Sequence, residues 1–294
     1  MTTHNLHLDF KGHSPTGITA GHAAHPIHAE VGRKLNAGKS VANLLSSEKK
    51  LLTKNSRGET LLHLAARFHY IGLVPRSNLN ERTLLIRNNE EESIVFTAAK
   101  AGALKWIPET FLTEAILLAR NRDGANCLHA AAENTGTTFI PKHLLTETNY
   151  KNLTHSGFSP LHVAAYGRST FLSIPGPLRI SSCLDCVAKD GATPLHILAL
   201  RGNLHLLPLE QLTSSRLTRA MNFRVCHDGK LVNTSKTVLE LIRPSEFDYF
   251  LGSKLPSTAK NVFGEEWWAR NQNILEQQGI LNTAPQSEPK LELF

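Results

Sequence analysis

Two short motifs recur along this 294-residue chain at a common period of ~33 residues, a length typical of stacked-repeat proteins. The first reads GETLLHLAARF at 58–68, GANCLHAAAEN at 124–134, GFSPLHVAAYG at 157–167 and GATPLHILALRG at 191–202. Its histidines are His63, His129, His162 and His196, and the first interval is twice the others. The double interval implies a further copy, and SIVFTAAKAG at 93–102 supplies it with Phe96 in the histidine slot. The second motif reads VPRSNLN at 74–80, IPETFLT at 107–113, IPKHLLT at 140–146, IPGPLRI at 174–180 and LPLEQLT at 207–213. Self-similarity at this period marks a repeat architecture. Each unit is too small to hide its own apolar face and becomes stable by stacking on its neighbours.

The residue types in the first motif each have a local task. Glycines 58, 124, 157 and 191 precede the helix, where a turn calls for positive φ. Thr60, Ser159 and Thr193 stand at N-cap positions, where a hydroxyl accepts a free first-turn amide. Pro160 and Pro194 follow at the first helical position, which tolerates proline. Leu62, Ala65 and Ala66 then share one helix face, the alanines permitting close approach of the next helix. The Ile-Pro or Val-Pro pair of the second motif predicts the start of a second short helix that buries Leu144 and Leu145.

These residues resemble the ankyrin repeat. TLLHLAA, SPLHVAA and TPLHILA match the family's Thr-Pro-Leu-His-x-Ala-Ala signature, and the resemblance covers roughly 41–250. It implies an all-α fold, an α-solenoid of about five to six stacked helix–turn–helix repeats with projecting β-turn loops. In that family the histidine bonds near the Thr cap and pins the turn between repeats. Copies fall at about 55–87, 88–120, 121–153, 154–187 and 188–227, with a degenerate one at 228–251. The second copy departs from the pattern, with Phe96 for His and Glu91 for Gly. After 207–213 the register slips. KTVLELI at 236–242 places Glu240 well beyond one period from His196, which implies an insertion of ~11 residues around 219–234 in the repeat. VANLLSSEKKLLTKN at 41–55 reads as the second helix of a truncated first copy.

The ends differ from the array. Residues 1–40 hold six of the 15 histidines and few large apolar residues, which predicts a flexible segment. Residues 252–294 read as a capping helix around Trp267 and Trp268, then a tail. No apolar run approaches the ~20 residues of a membrane span, and no secretory signal opens the chain. With only four cysteines, a reduced cytoplasmic monomer is expected.

Little in the sequence points to chemistry. His22, His25 and His28 could hold a metal on a helix, but Pro26 interrupts them. Cys183 and Cys186 form one CxxC with no partner pair and are expected to pack. AGKS at 37–40 is a near miss to a phosphate loop, with Arg33 where the first glycine belongs. No catalytic, cofactor or metal residues are assigned, and a non-enzyme is expected.

What the resemblance implies is a partner protein on the concave surface of loop tips and first helices. Carried over by copy, that surface comprises Arg57, Glu59, Arg67 and Phe68; Glu90, Glu92 and Lys100; Arg122, Asp123 and Glu133; Phe158 and Tyr166; Lys189, Leu200 and Arg201. Phe68, Phe158, Tyr166 and Leu200 are expected to be exposed there as anchors. Residues 41–243 carry 24 basic against 16 acidic residues, so a nucleic-acid module is an alternative. The mixed signs on the inferred surface weigh against it. A secreted effector acting on host proteins through the same surface is another alternative.

Overall fold

The structure, a computed structural model, describes residues 47–208, 211–227 and 230–242, together with Glu30, Val31, Lys34 and Leu45. The histidine-rich run, the AGKS segment and the Trp267–Trp268 helix lie outside the described residues. The described part is mostly helical. The chain divides into two compact units, Met1–Arg122 and Asp123–Phe294, and the division falls between two copies of the repeat.

In the first unit, α1 (Glu48–Leu51) leads into a tight turn and then α2 (Leu61–Arg67). A single bridge, Lys54 to Thr60, closes the turn, and Gly58 at its corner has φ +70°. α3 (Glu81–Leu84), α4 (Ile94–Lys100) and α5 (Glu114–Leu117) repeat the pattern, with the bridge now Arg87 to Ser93. Glu91 stands where the other copies have glycine and still takes φ +59°, so the turn is kept at the cost of backbone strain. Helices α2 and α4 pack together. Leu61, Leu62, Ala66, Ile94, Val95 and Ala99 lie between their turns with no exposed surface. Seven-residue helices are unstable alone in water, so this packing supports them.

The second motif does not start a full second helix. Val74 and Ile107 are extended, as the residue before proline prefers. The chain therefore breaks there. Pro75 and Pro108 precede single 3₁₀ turns, Arg76–Asn78 and Glu109–Phe111. A separate helical turn follows, capped by the Asn80 side chain in one copy and begun after Thr113, with no side-chain cap bond, in the next. In these two copies the expected helix is thus one 3₁₀ turn and one α-turn.

The second unit builds the same way from α6 (Cys127–Ala132), α7 (Glu147–Tyr150) and α8 (Pro160–Ala164). Pro141 precedes the 3₁₀ turn Lys142–Leu144; Leu144 is buried there and Leu145 half-buried. α9 (Arg168–Ser173) and α10 (Gly176–Arg179) come next, followed by the 3₁₀ turn Ser182–Asp185 and α11 (Pro194–Arg201). Gly124, Gly157 and Gly191 have φ of +77°, +85° and +86°. At Gly157 a Cβ would lie 2.9 Å from the Ala188 Cα, so glycine is needed for both conformation and space. Pro160 and Pro194 occupy the first helical position.

The mostly helical fold also holds one two-stranded sheet among the described residues. After α12 (Ser214–Leu217) the chain forms an antiparallel hairpin, β1 (Ala220–His227) with β2 (Lys230–Thr237), and then α13 (Val238–Leu241). Ala220 pairs with Thr237 at its base, and His227 with Lys230 at its far end. That base matches the Arg87–Ser93 bridge, and Val238 begins a helix as Ile94 does. The insertion inferred from the slipped register is this hairpin, an elongated turn and not an unstructured loop.

Candidate partner-binding face

The face is built on a buried frame. In α2 the Thr60 amide donates to His63 Nδ1 at 3.1 Å, while the His63 amide donates back to Thr60 Oγ1 at 3.4 Å. An N–H donor at Nδ1 places the ring proton on Nε2. Nε2–H then donates to the Glu92 carbonyl of the next turn at 3.2 Å. The arrangement recurs in the second unit. There His129 reaches the Phe158 carbonyl at 2.9 Å, His162 that of Ala192 at 3.1 Å and His196 that of Arg219 at 2.9 Å. Arg219 immediately precedes β1, so the hairpin stands where the next turn would. Burial pushes His63 and His162 down to about 4 and lowers His196 as well. These rings are structural links; the sequence signal Thr/Ser-x-x-His marks His63, His162 and His196, and in the remaining copy Asn126 takes the cap position before His129. Asn126 caps α6, accepting from the amides of Leu128 and His129.

A second frame runs through the turn tips. The amide of Asn89 donates to the Arg57 carbonyl at 2.9 Å, and that of Arg122 to the Glu90 carbonyl at 3.1 Å. In the second unit His155 donates to Asp123 at 2.8 Å, Lys189 to Ser156 at 3.0 Å and Asn222 to Asp190 at 2.6 Å. One backbone bond per copy sets the pitch of the tips, and their side chains vary freely.

The sequence-assigned residues separate into three groups. Arg57, Glu90, Arg122, Asp123, Lys189 and Arg201 are exposed. Arg67, Phe68, Lys100, Glu133, Phe158, Tyr166 and Leu200 are half-buried. Phe68, Phe158, Tyr166 and Leu200, expected to be exposed, are thus half-buried. Phe158 and Leu200 lean on a small cluster of Ala188, Ala192 and Met221, together with Leu241. Met221, from β1, closes that cluster and was outside the sequence-based assignment.

Glu59 and Glu92 are buried, at 2% and 8% exposure, and so cannot offer contacts on a surface. Each belongs to an internal triad. Glu59 pairs with Arg67 and accepts from Asn55 Nδ2 at 3.0 Å. Glu92 pairs with Lys100 at 3.1 Å and accepts from Asn88 Nδ2 at 3.1 Å. Asn55 Oδ1 in turn accepts from the Arg57 and Glu59 amides, shaping the turn. The signal was present as Asn-x3-Glu-x7-Arg/Lys, repeated from the first copy to the second. In the second unit the glutamate position holds Ala125, Phe158 and Ala192, and the cation position holds Glu133, Tyr166 and Leu200. In the last two of these copies apolar residues take both positions of the polar triad.

Cys183 is buried and Cys186 half-buried, both free, and burial pushes both thiols up, away from the reactive thiolate. Among the described residues no three His, Cys, Asp or Glu side chains converge on a metal position, and no helix is long and apolar enough to cross a membrane. A bidentate pair from Arg216 to Asp185, at 2.8 Å on both oxygens, ties α12 to the preceding copy. No protein-family model matches the sequence, and no curated protein matches it either.

Proposed function

We propose that the chain is an ankyrin-type repeat protein that binds another protein through its turn tips and first helices and performs no chemistry of its own. One observation carries this reading. The residues that recur from copy to copy are buried, and the residues that differ at the tips are exposed. Cap, histidine, alanine and glycine positions form the frame, whereas the residue before the turn corner is Arg57, Glu90, Asp123, Ser156 and Asp190 in successive copies, the first four of them exposed. A frame that holds a fixed pitch while its presented side chains vary is suited to recognition, where specificity lies in the surface residues and not in the fold. The capping boxes, the ring-to-carbonyl bonds and the common pitch of the two motifs favour the ankyrin family in particular.

The test is site-specific photo-crosslinking in the cells that express the protein. A photoreactive residue at position 57, 90, 156 or 189 should yield a discrete protein adduct. The same residue at Glu81, Glu114 or Lys142, on the outer turns, should yield none. Adducts confined to the outer turns would overturn the assignment of the face.

A further inference from the structure

The second unit carries an arginine placed unlike any cation of the triads. In α2 and α4 the basic side chain near the helix end, Arg67 or Lys100, is neutralised by the glutamate eight positions earlier. Copies four and five lack that glutamate, with Phe158 and Ala192 in its place. Arg201, exposed at the end of α11, lies instead over the ring of Tyr166, its guanidinium carbon 5.1 Å from the ring centre. Among the described residues no carboxylate stands within ion-pair distance of it. Asp190, in the neighbouring turn, directs Oδ1 to the Ala192 amide at 2.9 Å.

A guanidinium held over an aromatic ring by a cation–π contact keeps its N–H groups available to donate to a carboxylate in bidentate fashion. Beside it, Leu200 and Phe158 form a half-buried apolar shelf on Ala188, Ala192 and Met221. Apolar walls lower the local dielectric and strengthen a charge pair formed against them. Resting on the partner-binding reading above, we propose that this place receives an acidic segment of a partner protein. One carboxylate sits on Arg201 and an adjacent large apolar side chain covers Leu200 and Phe158. Charge complementarity chooses this occupant: the cations at the site are Arg201 and, at the tip of the same copy, Lys189, against the single carboxylate of Asp190, one oxygen of which is held by the Ala192 amide. A nucleic acid would call for a row of cations at phosphate spacing with no acid among them. Here one fork is flanked by apolar groups and Asp190.

The experiment is selection of a displayed library of random short peptides on the full chain, followed by affinity measurement with the enriched synthetic peptides. Enriched peptides should carry Asp or Glu next to a large apolar residue. Arg201→Gln should weaken them roughly tenfold or more, the worth of one charge-assisted bond pair. Arg201→Lys should fall between, because it keeps charge without the stacked fork. Arg201→Glu should recover binding when the peptide's acid is replaced by Lys. Circular dichroism and melting of each variant should match the parent, since Arg201 is exposed. Enriched peptides that bind Arg201→Gln as well as the parent would overturn this site while leaving the partner-binding reading intact. No enrichment at all would overturn that reading, and this one with it. Displacement of the peptide by a single-stranded oligonucleotide, in an Arg201-dependent way, would overturn the protein occupant in favour of nucleic acid.

Discussion

Acidification should unfold this protein well above the range in which its carboxylates protonate. His63 and His162 are fully buried and held near 4, against 6.5 for an unperturbed imidazole. Desolvation is the main cause. The hydrogen bonds add a geometric one, because Nδ1 already faces a backbone N–H and cannot take a second proton without losing it. The unfolded chain therefore binds protons at a higher pH than the folded chain. Stability is complete above about 6.5 and is lost as pH falls from there toward 4. One pH unit of difference is worth about 1.4 kcal/mol, so each of these two rings should cost about 2 kcal/mol by pH 5 and about 3 by pH 4. Together they should give a slope of about 2.5 kcal/mol per pH unit near pH 5, a large share of a typical domain's stability. Urea unfolding followed by circular dichroism at steps between pH 7.5 and 4.5 measures this slope directly. His162→Gln should remove about half of it. A stability that stays flat from pH 7 to 5 would refute the reasoning, as would an NMR titration of the His162 ring near 6.5 in the folded protein.

Three further outcomes follow from the same geometry. Glu91→Gly should raise stability by about 1 kcal/mol in urea unfolding by relieving φ +59°, whereas Gly157→Ala should lower it by more than that because the Cβ meets the Ala188 backbone. Glu59→Ala should cost about 3–5 kcal/mol by leaving Arg67 half-buried without its partner; Glu59→Ala with Arg67→Leu should regain much of the loss, which a double-mutant cycle reads out. Arg216→Lys should lower the thermal midpoint by an amount equivalent to about 1 kcal/mol or less, because the bidentate geometry is lost at a site where Asp185 is partly exposed.

Local chemistry made much of the frame legible in advance. Gly58, Gly124, Gly157 and Gly191 announce positive φ, Thr60, Ser159 and Thr193 announce caps, and the histidines three positions on complete them. These features depend on a few neighbouring residues and so can be read from a string. The size of the late insertion was equally readable from the slipped period. Its conformation had a signal too, in the Asp228–Gly229 pair between strand-forming residues, a preferred hairpin turn.

The period, the caps, the glycine corners and the structural role of the histidines are therefore legible in the chain alone. All are local or recur at a fixed interval. The tertiary structure alone decided which side chains reach the surface. Glu59 and Glu92 look like tip residues by position, yet Arg67 and Lys100, from the far ends of α2 and α4, turn back over them and hold them inside. Phe158 and Leu200 look like exposed anchors, yet Met221 from the hairpin closes a cluster against them. Arg201 is one basic residue among many in the sequence, and only the fold sets it over the ring of Tyr166, one copy earlier, with no carboxylate among the described residues within ion-pair distance. Burial and charge pairing depend on the atoms that arrive from neighbouring copies, and that arrangement exists only once the copies have packed.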